Sequence, residues 1–387
     1  MTWNPLVAFS LIAAAVIPSF LLSLIATAVV RANARKWGLV DEPNDRKVHV
    51  TPTPLGGGIG IWVGLVGTLA LAQLAVWLIS RIEFGEGSLP PMLTSLVEMA
   101  QTHAGGFLHQ SIKLWALLAG ASILMIIGLI DDRVGLSWKI RLAMQATIAA
   151  FFVIGFDWKL SFYVDIVWLQ YLVSILWIVA MINSFNMLDN MDGLSAGVAT
   201  IAASIMAAVL LMAPDPSTAG PQLFTAGFLL VLTGAMLGFL WHNRPPAKIF
   251  MGDAGSYLIG FCIAIMTIVA TFAGYDEGAR HAVLAPLCIL AVPLFDLITV
   301  IGIRLREGRS PFQPDKSHVS HRLVELGFTK TQAVLTIYLM TATCGLGAVL
   351  LHRVDWIGAI VVLMMVFCVL ALIGVIESTA RRSRKDS

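Results

Sequence analysis

The stretch NSFNMLDNMDG, residues 183–193, places three asparagines and two aspartates within ten positions, with no Lys or Arg among them. At helical spacing Asn183, Asn186 and Asn190 lie within about 60° of one another, and Asp189 and Asp192 step around from Asn186. Carboxylate and amide oxygens suit Mg²⁺ far better than Zn²⁺. Amides that hold helices together account for Asn183 but leave two carboxylates without a basic partner.

Other groups share this character. Asp131 and Asp132 end the apolar run GASILMIIGLI. A helix C-terminus is partially negative, so carboxylates there cost a few tenths to about 1 kcal/mol. A bound cation or a shared proton explains the pair better than a solvated cap. Arg133, Lys139 and Arg141 follow within ten residues and could hold phosphates. In KIFMGDAGSYLIG, small residues surround Asp253 where another apolar run begins. Backbone N–H groups there could meet an anion while Asp253 holds a bridging metal; an Asp cap with packing glycines is the alternative.

SHVSHRLVELGF has Val319, Leu323 and Leu326 on one face and His318, His321, Arg322 and Glu325 on the other. That pattern predicts a short helix lying on a membrane surface, its polar face turned to a site where His⁺ and Arg could bind phosphate. RKVHVTPTPLGGG joins Arg46, Lys47 and His49 to three glycines. It reads equally as a phosphate-handling loop or as basic anchoring plus a Pro-Gly turn. Asp296, about two turns inside AVPLFDLITVIGIR, is a functional candidate as a buried carboxylate, with pairing to Arg304 or a polar neighbour as the competing explanation.

What positions these groups follows from composition. Of 387 residues, 58% are hydrophobic and 12% charged, about half the charge of a soluble domain, and mean hydropathy is +0.85. This is an integral membrane protein, expected to form one all-α domain over 1–387. A span needs about 20 apolar residues, and runs near 5–30, 57–79, 112–130, 140–156, 168–187, 194–212, 222–241, 256–274, 282–303, 332–351 and 356–376 give eleven crossings. The start, MTWNPLVAFS, lacks the basic residues of a signal peptide, so the first run is expected to be retained. The four cysteines are widely spaced in apolar runs and read as small buried hydrophobes, not a disulfide framework or a metal site. There is no internal repeat.

Placing the N-terminus outside and the C-terminus in the cytoplasm assigns 20 of the 25 Lys and Arg to the cytoplasmic side, as the positive-inside bias demands. All the polar groups above then fall on that one face, in loops near 31–56, 131–141, 183–197, 242–256 and 304–330. The net charge of +2 carries no nucleic-acid signature.

With DDRVG, NMLDNMDGLSAG, AKIFMGDAGS, PLFD and PDKSHVSHRL in this order, the chain resembles the polyprenyl-phosphate N-acetylhexosamine-1-phosphate transferases over about residues 35–330. The last motif is similar to the bacterial N-acetylglucosamine-1-phosphate branch, although Ser320 stands where that branch carries the middle His of H-x-H-H. The resemblance implies that Asn186 and Asp253 hold Mg²⁺, with Mn²⁺ as a substitute, that Asp131 and Asp132 are the essential acidic pair, and that His318 is the essential histidine. Arg141 matches a phosphate-contacting Lys of some relatives. Asp189, Asp192, Lys47, His321 and Arg322 are the further candidates for substrate binding.

The implied reaction joins UDP-GlcNAc and undecaprenyl phosphate to give undecaprenyl-diphospho-GlcNAc and UMP. It would occur at the cytoplasmic face of a bacterial inner membrane, in a chain that could be a homodimer. Another UDP-HexNAc or UDP-MurNAc-pentapeptide is the alternative donor. The rival class is a transporter, but repeated halves and midplane sites are not visible, and only Asp296 sits deep in a span.

Overall fold

The computed structural model describes residues 5–42, 52–81, 110–160, 165–212, 222–270, 277–312 and 317–383, with scattered positions of 94–109. Lys47, with Arg46 and His49, lies outside the described residues. The chain is a helix bundle: α1 (Pro5–Asn33), α2 (Gly57–Ile79), α3 (Ser111–Val134), α4 (Trp138–Gly155), α5 (Val167–Leu188), α6 (Leu194–Met212), α7 (Leu223–Asn243) and α8 (Gly252–Val269) come first. A 3₁₀ turn (Glu277–Leu284), α9 (Ala285–Ile289), α10 (Ala291–Arg306), α11 (Val319–Glu325), α12 (Lys330–Leu351) and α13 (Trp356–Ser383) follow. One two-residue antiparallel pair, β1 (Val40–Asp41) with β2 (Thr53–Pro54), joins α1 to α2.

Among the described residues, ten helices are long and apolar enough to cross a membrane, and a bent pair makes an eleventh. The all-α polytopic bundle expected from the apolar runs is therefore the fold. One crossing differs in form. The run expected to span 282–303 breaks into two segments inclined at 68°. Pro293 sits in the first turn of α10, where its ring would clash with the carbonyl of Ile289 and it has no N–H to offer; Ile289 is where α9 ends.

The most buried span is α8, with 78% of its apolar window inside the protein, whereas α13 has 17%. It packs on α3, α5 and α2. Water does not drive helices together inside a bilayer, so close backbone approach and van der Waals contact must do so. A Cβ at Gly58 of α2 would lie 2.3 Å from Gly255 N, and one at Gly128 of α3 would lie 2.4 Å from Ala254 N. Both neighbours belong to the first turn of α8, so three helices meet where Asp253 enters. Three of the four cysteines are buried, as small hydrophobes should be; Cys368, on the outer helix α13, is exposed.

Candidate active site

The acidic groups gather around the N-terminus of α8. At the end of α3, Gly135 is left-handed (φ 68) and donates to the Asp131 carbonyl at 2.8 Å, which closes the helix. Ser137 then caps α4. This tight turn carries Arg141 back over Asp131, where its Nη1 lies 3.2 Å from Oδ2. Asp131 is buried and also accepts from Leu136 N at 2.7 Å and from the Tyr257 hydroxyl at 2.8 Å. Three donors occupy it, so it organises the site. Arg141 also stands 3.8 Å from Asp253 Oδ2.

Asp132 points the other way, into α8. It accepts from Asp253 N at 2.9 Å and Ala254 N at 3.4 Å. The anion at this helix N-terminus is thus the chain's own carboxylate, a placement the helix dipole favours. Gly252 makes room: its φ is +73, and a Cβ there would stand 2.4 Å from Asp132 Oδ2.

Asn186 Nδ2 donates to Asp253 Oδ1 at 2.5 Å and to Ser256 Oγ at 3.0 Å, so these two sequence candidates touch. Asp189, just past the end of α5, is hydrogen-bonded by the Gly252 backbone; burial first, then the charge of Asp132, push its carboxyl up to about 8. Asp192 accepts from Ala247 N at 2.9 Å, which pins the 244–251 loop.

The three asparagines of α5 and its exit each serve a different neighbour. Asn183 Nδ2 donates to Gln145 Oε1 of α4 at 2.6 Å, Asn186 reaches α8, and Asn190 Oδ1 accepts from the Ser320 hydroxyl of α11 at 2.6 Å.

The histidines form a second cluster. His318 Nδ1 lies 2.8 Å from Asp296 Oδ2, and Val319 N donates to Asp296 Oδ1 at 2.8 Å. Asp296 is therefore paired with His318, and Arg304 reaches the Pro311 carbonyl at 2.6 Å instead. The rings of His318 and His321 are 6.3 Å apart. Arg322 is buried and donates to the Ser317 carbonyl at 2.6 Å and, at 3.4 Å, to Thr299 Oγ1, so its described contacts are within the protein.

The glycines of TPLGGG resolve as packing rather than an anion cradle. Gly57 N donates to the Phe250 carbonyl at 2.9 Å and Gly58 N to the Met251 carbonyl at 3.1 Å. The first N–H groups of α2 are thereby spent on the segment that leads into α8.

Three contributors escaped the sequence reading. Tyr257 lies one turn inside α8 from Asp253, and a hydroxyl at that spacing was the available signal. Asn243, at the polar end of α7, accepts from Gly193 N and donates to the Ile249 carbonyl, both at 2.9 Å. Asp41, in β1, acts electrostatically on Asp132, a proximity that only the fold reveals.

Among the described residues, no group of three or more His, Cys, Asp or Glu is assembled to hold a metal on its own. Mg²⁺ does not need one: it keeps several waters and takes one or two carboxylates plus substrate phosphates. The donor set fits such an ion. Asp253 and Asn186 adjoin, with Asp132 and Asp189 close by and Arg141 as the cation seen against them. Asn186 would present Oδ1 after a turn of its amide.

The molecule is thus a multi-pass membrane protein with a carboxylate-rich site where α3, α4, α5 and α8 meet. The family model described as glycosyl transferase family 4 matches residues 114–271, which include the whole acidic cluster apart from Asp41. A protein of Bacillus subtilis (strain 168), "Probable undecaprenyl-phosphate N-acetylglucosaminyl 1-phosphate transferase", is 30% identical over 365 residues, 92% of this chain and 89% of its own length. "Decaprenyl-phosphate N-acetylglucosaminephosphotransferase" of Mycobacterium tuberculosis (strain ATCC 25618 / H37Rv) is 37% identical over 349 residues, 85% of this chain and 79% of its own. "Undecaprenyl-phosphate alpha-N-acetylglucosaminyl 1-phosphate transferase" of Escherichia coli (strain K12) is 30% identical over 362 residues, 90% and 87% of the two chains. The chain belongs to glycosyl transferase family 4, in the bacterial branch of polyprenyl-phosphate N-acetylglucosamine-1-phosphate transferases.

Proposed function

We propose that this enzyme transfers N-acetylglucosamine 1-phosphate from UDP-GlcNAc to undecaprenyl phosphate and releases UMP, at the cytoplasmic face of a bacterial inner membrane. An oxygen of the lipid phosphate attacks the phosphorus that bears the sugar. The bond from that phosphorus to the bridging oxygen breaks, and the oxygen leaves with UMP. The observation that carries the reading is the gathering of Asp131, Asp132, Asp189 and Asp253 around the start of α8, with Arg141 set against Asp131 and Asp253, in a chain with relatives of that name.

Both reactants are anions, so the site must offset their repulsion and the charge of the transition state. Asn186 and Asp253 would hold Mg²⁺, which would supply neutralisation of phosphate charge. Asp131, satisfied by its three donors, holds Arg141 and Tyr257 in place, and Arg141 takes a phosphate. Asp132 receives the last proton of the lipid phosphate, whose second pKa lies near 6, about that of other phosphate monoesters. His318 offers Nε2 to the departing phosphate, with Nδ1 committed to Asp296. Incubating membranes with lipid phosphate and each UDP-sugar in turn tests this. UMP release with UDP-GlcNAc is the expected result, and release only with UDP-MurNAc-pentapeptide or UDP-GalNAc overturns the choice of sugar. Decaprenyl phosphate, run in parallel, tests the lipid.

A further inference from the structure

The acidic cluster and the histidine cluster lie on elements far apart in sequence, and among the described residues a side-chain hydrogen bond joins them. Ser320, two residues after His318 and one before His321, is 2% exposed, and its hydroxyl donates to Asn190 Oδ1 at 2.6 Å across 130 residues of sequence. Asn190 is next to Asp189, and its own Nδ2 is fixed on the Met187 carbonyl at 2.8 Å. Its side chain is therefore a short rigid strut: one end is set on the turn that carries Asn186 and Asp189, the other on the helix that carries the histidines.

Resting on the function proposed above, we infer that Asn190 and Ser320 are positioning residues, which set His318 and His321 at their working distance from the acidic cluster. Two observations separate this from simple packing. First, α11 has only seven residues, too few to hold its own orientation. Second, the start of α11 is held by Asp296 of α10, a different helix from the α5 exit that carries Asn190. Asp296 and, through Arg322, Thr299 tie α11 to α10, and Asn190 ties it to the turn that carries Asp189. Displacement of about 1 Å at a reacting centre is enough for large losses in rate, so a lost strut would be felt in turnover before it is felt in folding.

The test uses the full chain in detergent with lipid. Ser320→Ala, Asn190→Ala and the double variant are compared in kcat, KM for UDP-GlcNAc and thermal midpoint. Each single variant should lower kcat by about tenfold or more, with KM within about twofold and little change in midpoint, and the double variant should be no slower than the worse single one. The exchange Asn190→Ser with Ser320→Asn should restore much of the rate. Multiplicative losses, unchanged kcat, or a fall in kcat only in step with the midpoint would overturn the inference. If the wild type releases no UMP, the proposed function fails instead. The strut is then read from histidine side-chain NMR, where Ser320→Ala and Asn190→Ala should move the His321 resonance alike; unmoved or unrelated shifts overturn it.

Discussion

Asp296 grips His318 twice over: one carboxylate oxygen meets the ring Nδ1 at 2.8 Å and the other takes the next backbone N–H, from Val319, also at 2.8 Å. Ring and backbone are thereby oriented together, and on the proposed chemistry Nε2 is the ring nitrogen left for the phosphate. Asp296→Asn keeps the shape but offers an amide to the ring. It should lower kcat by about a hundredfold or more, as the loss of an orienting carboxylate does in other histidine-dependent sites, with KM for UDP-GlcNAc nearly unchanged. Steady-state UMP release measures it, and a kcat near wild type would remove Asp296 from the mechanism.

Asp253 adjoins Asn186 at 2.5 Å, and these two side chains would hold the proposed cation. Asp253→Ala should abolish transfer at every Mg²⁺ concentration, while Asn186→Ala should raise the Mg²⁺ needed for half-maximal rate. Chelator-stripped membranes titrated with MgCl₂ and MnCl₂ provide the measurement. Near-normal transfer by Asp253→Ala would refute the metal assignment.

Asp189 carries a pH signature. Its carboxyl is pushed from 3.8 to about 8, by burial first and by Asp132 next. Over that window the folded protein retains a proton that the unfolded chain has released. Stability from this group is therefore full below about 4 and is lost as pH rises through about 8. In chelator, the thermal midpoint of the wild type should fall across this range, and Asp189→Asn should flatten the fall. A midpoint that rises with pH equally in both proteins would contradict the assignment.

Gly128 admits the first turn of α8 at a distance no side chain permits, since its Cβ would stand 2.4 Å from Ala254 N. Gly128→Ala should destabilise the protein by about 1–3 kcal/mol and shift Asp253 with it. Gly227→Ala is the control, because a Cβ there meets nothing within 4 Å. Thermal unfolding and UMP release together should separate the two variants; equal behaviour would show that the crossing has slack.

Much of this architecture was legible beforehand because a bilayer imposes a simple rule: apolar runs long enough to span must be helices. Ten of the eleven runs became single helices, and the eleventh was broken by Pro293. The clusters could be singled out because uncompensated polar groups at the ends of apolar runs need a reason; the resemblance narrowed them to Asn186, Asp253, Asp131, Asp132 and Arg141. The division of labour was not legible. Asp131 and Asp132 are adjacent and chemically identical, yet one is filled by Leu136, Arg141 and Tyr257 and the other faces α8. Only the turn at Gly135 and the crossing of α3 with α8 decide that. The glycine run before α2 gave no sign that its N–H groups would be taken by Phe250 and Met251. Nor did Asp41 show that its charge would bear on Asp132, because that depends on where the fold places β1.

The N–H groups of Asp253 and Ala254 are occupied by Asp132, and this bears on the order in which ligands arrive. A nucleotide that came first would meet a row of like charges and a helix end that has already found its anion. A divalent ion would meet the opposite: attraction from the carboxylates around Asp253, with only the Asn186 amide to turn. On the proposed chemistry, the metal is therefore the gatekeeper, and free inorganic phosphate is a poor competitor unless it brings its own cation.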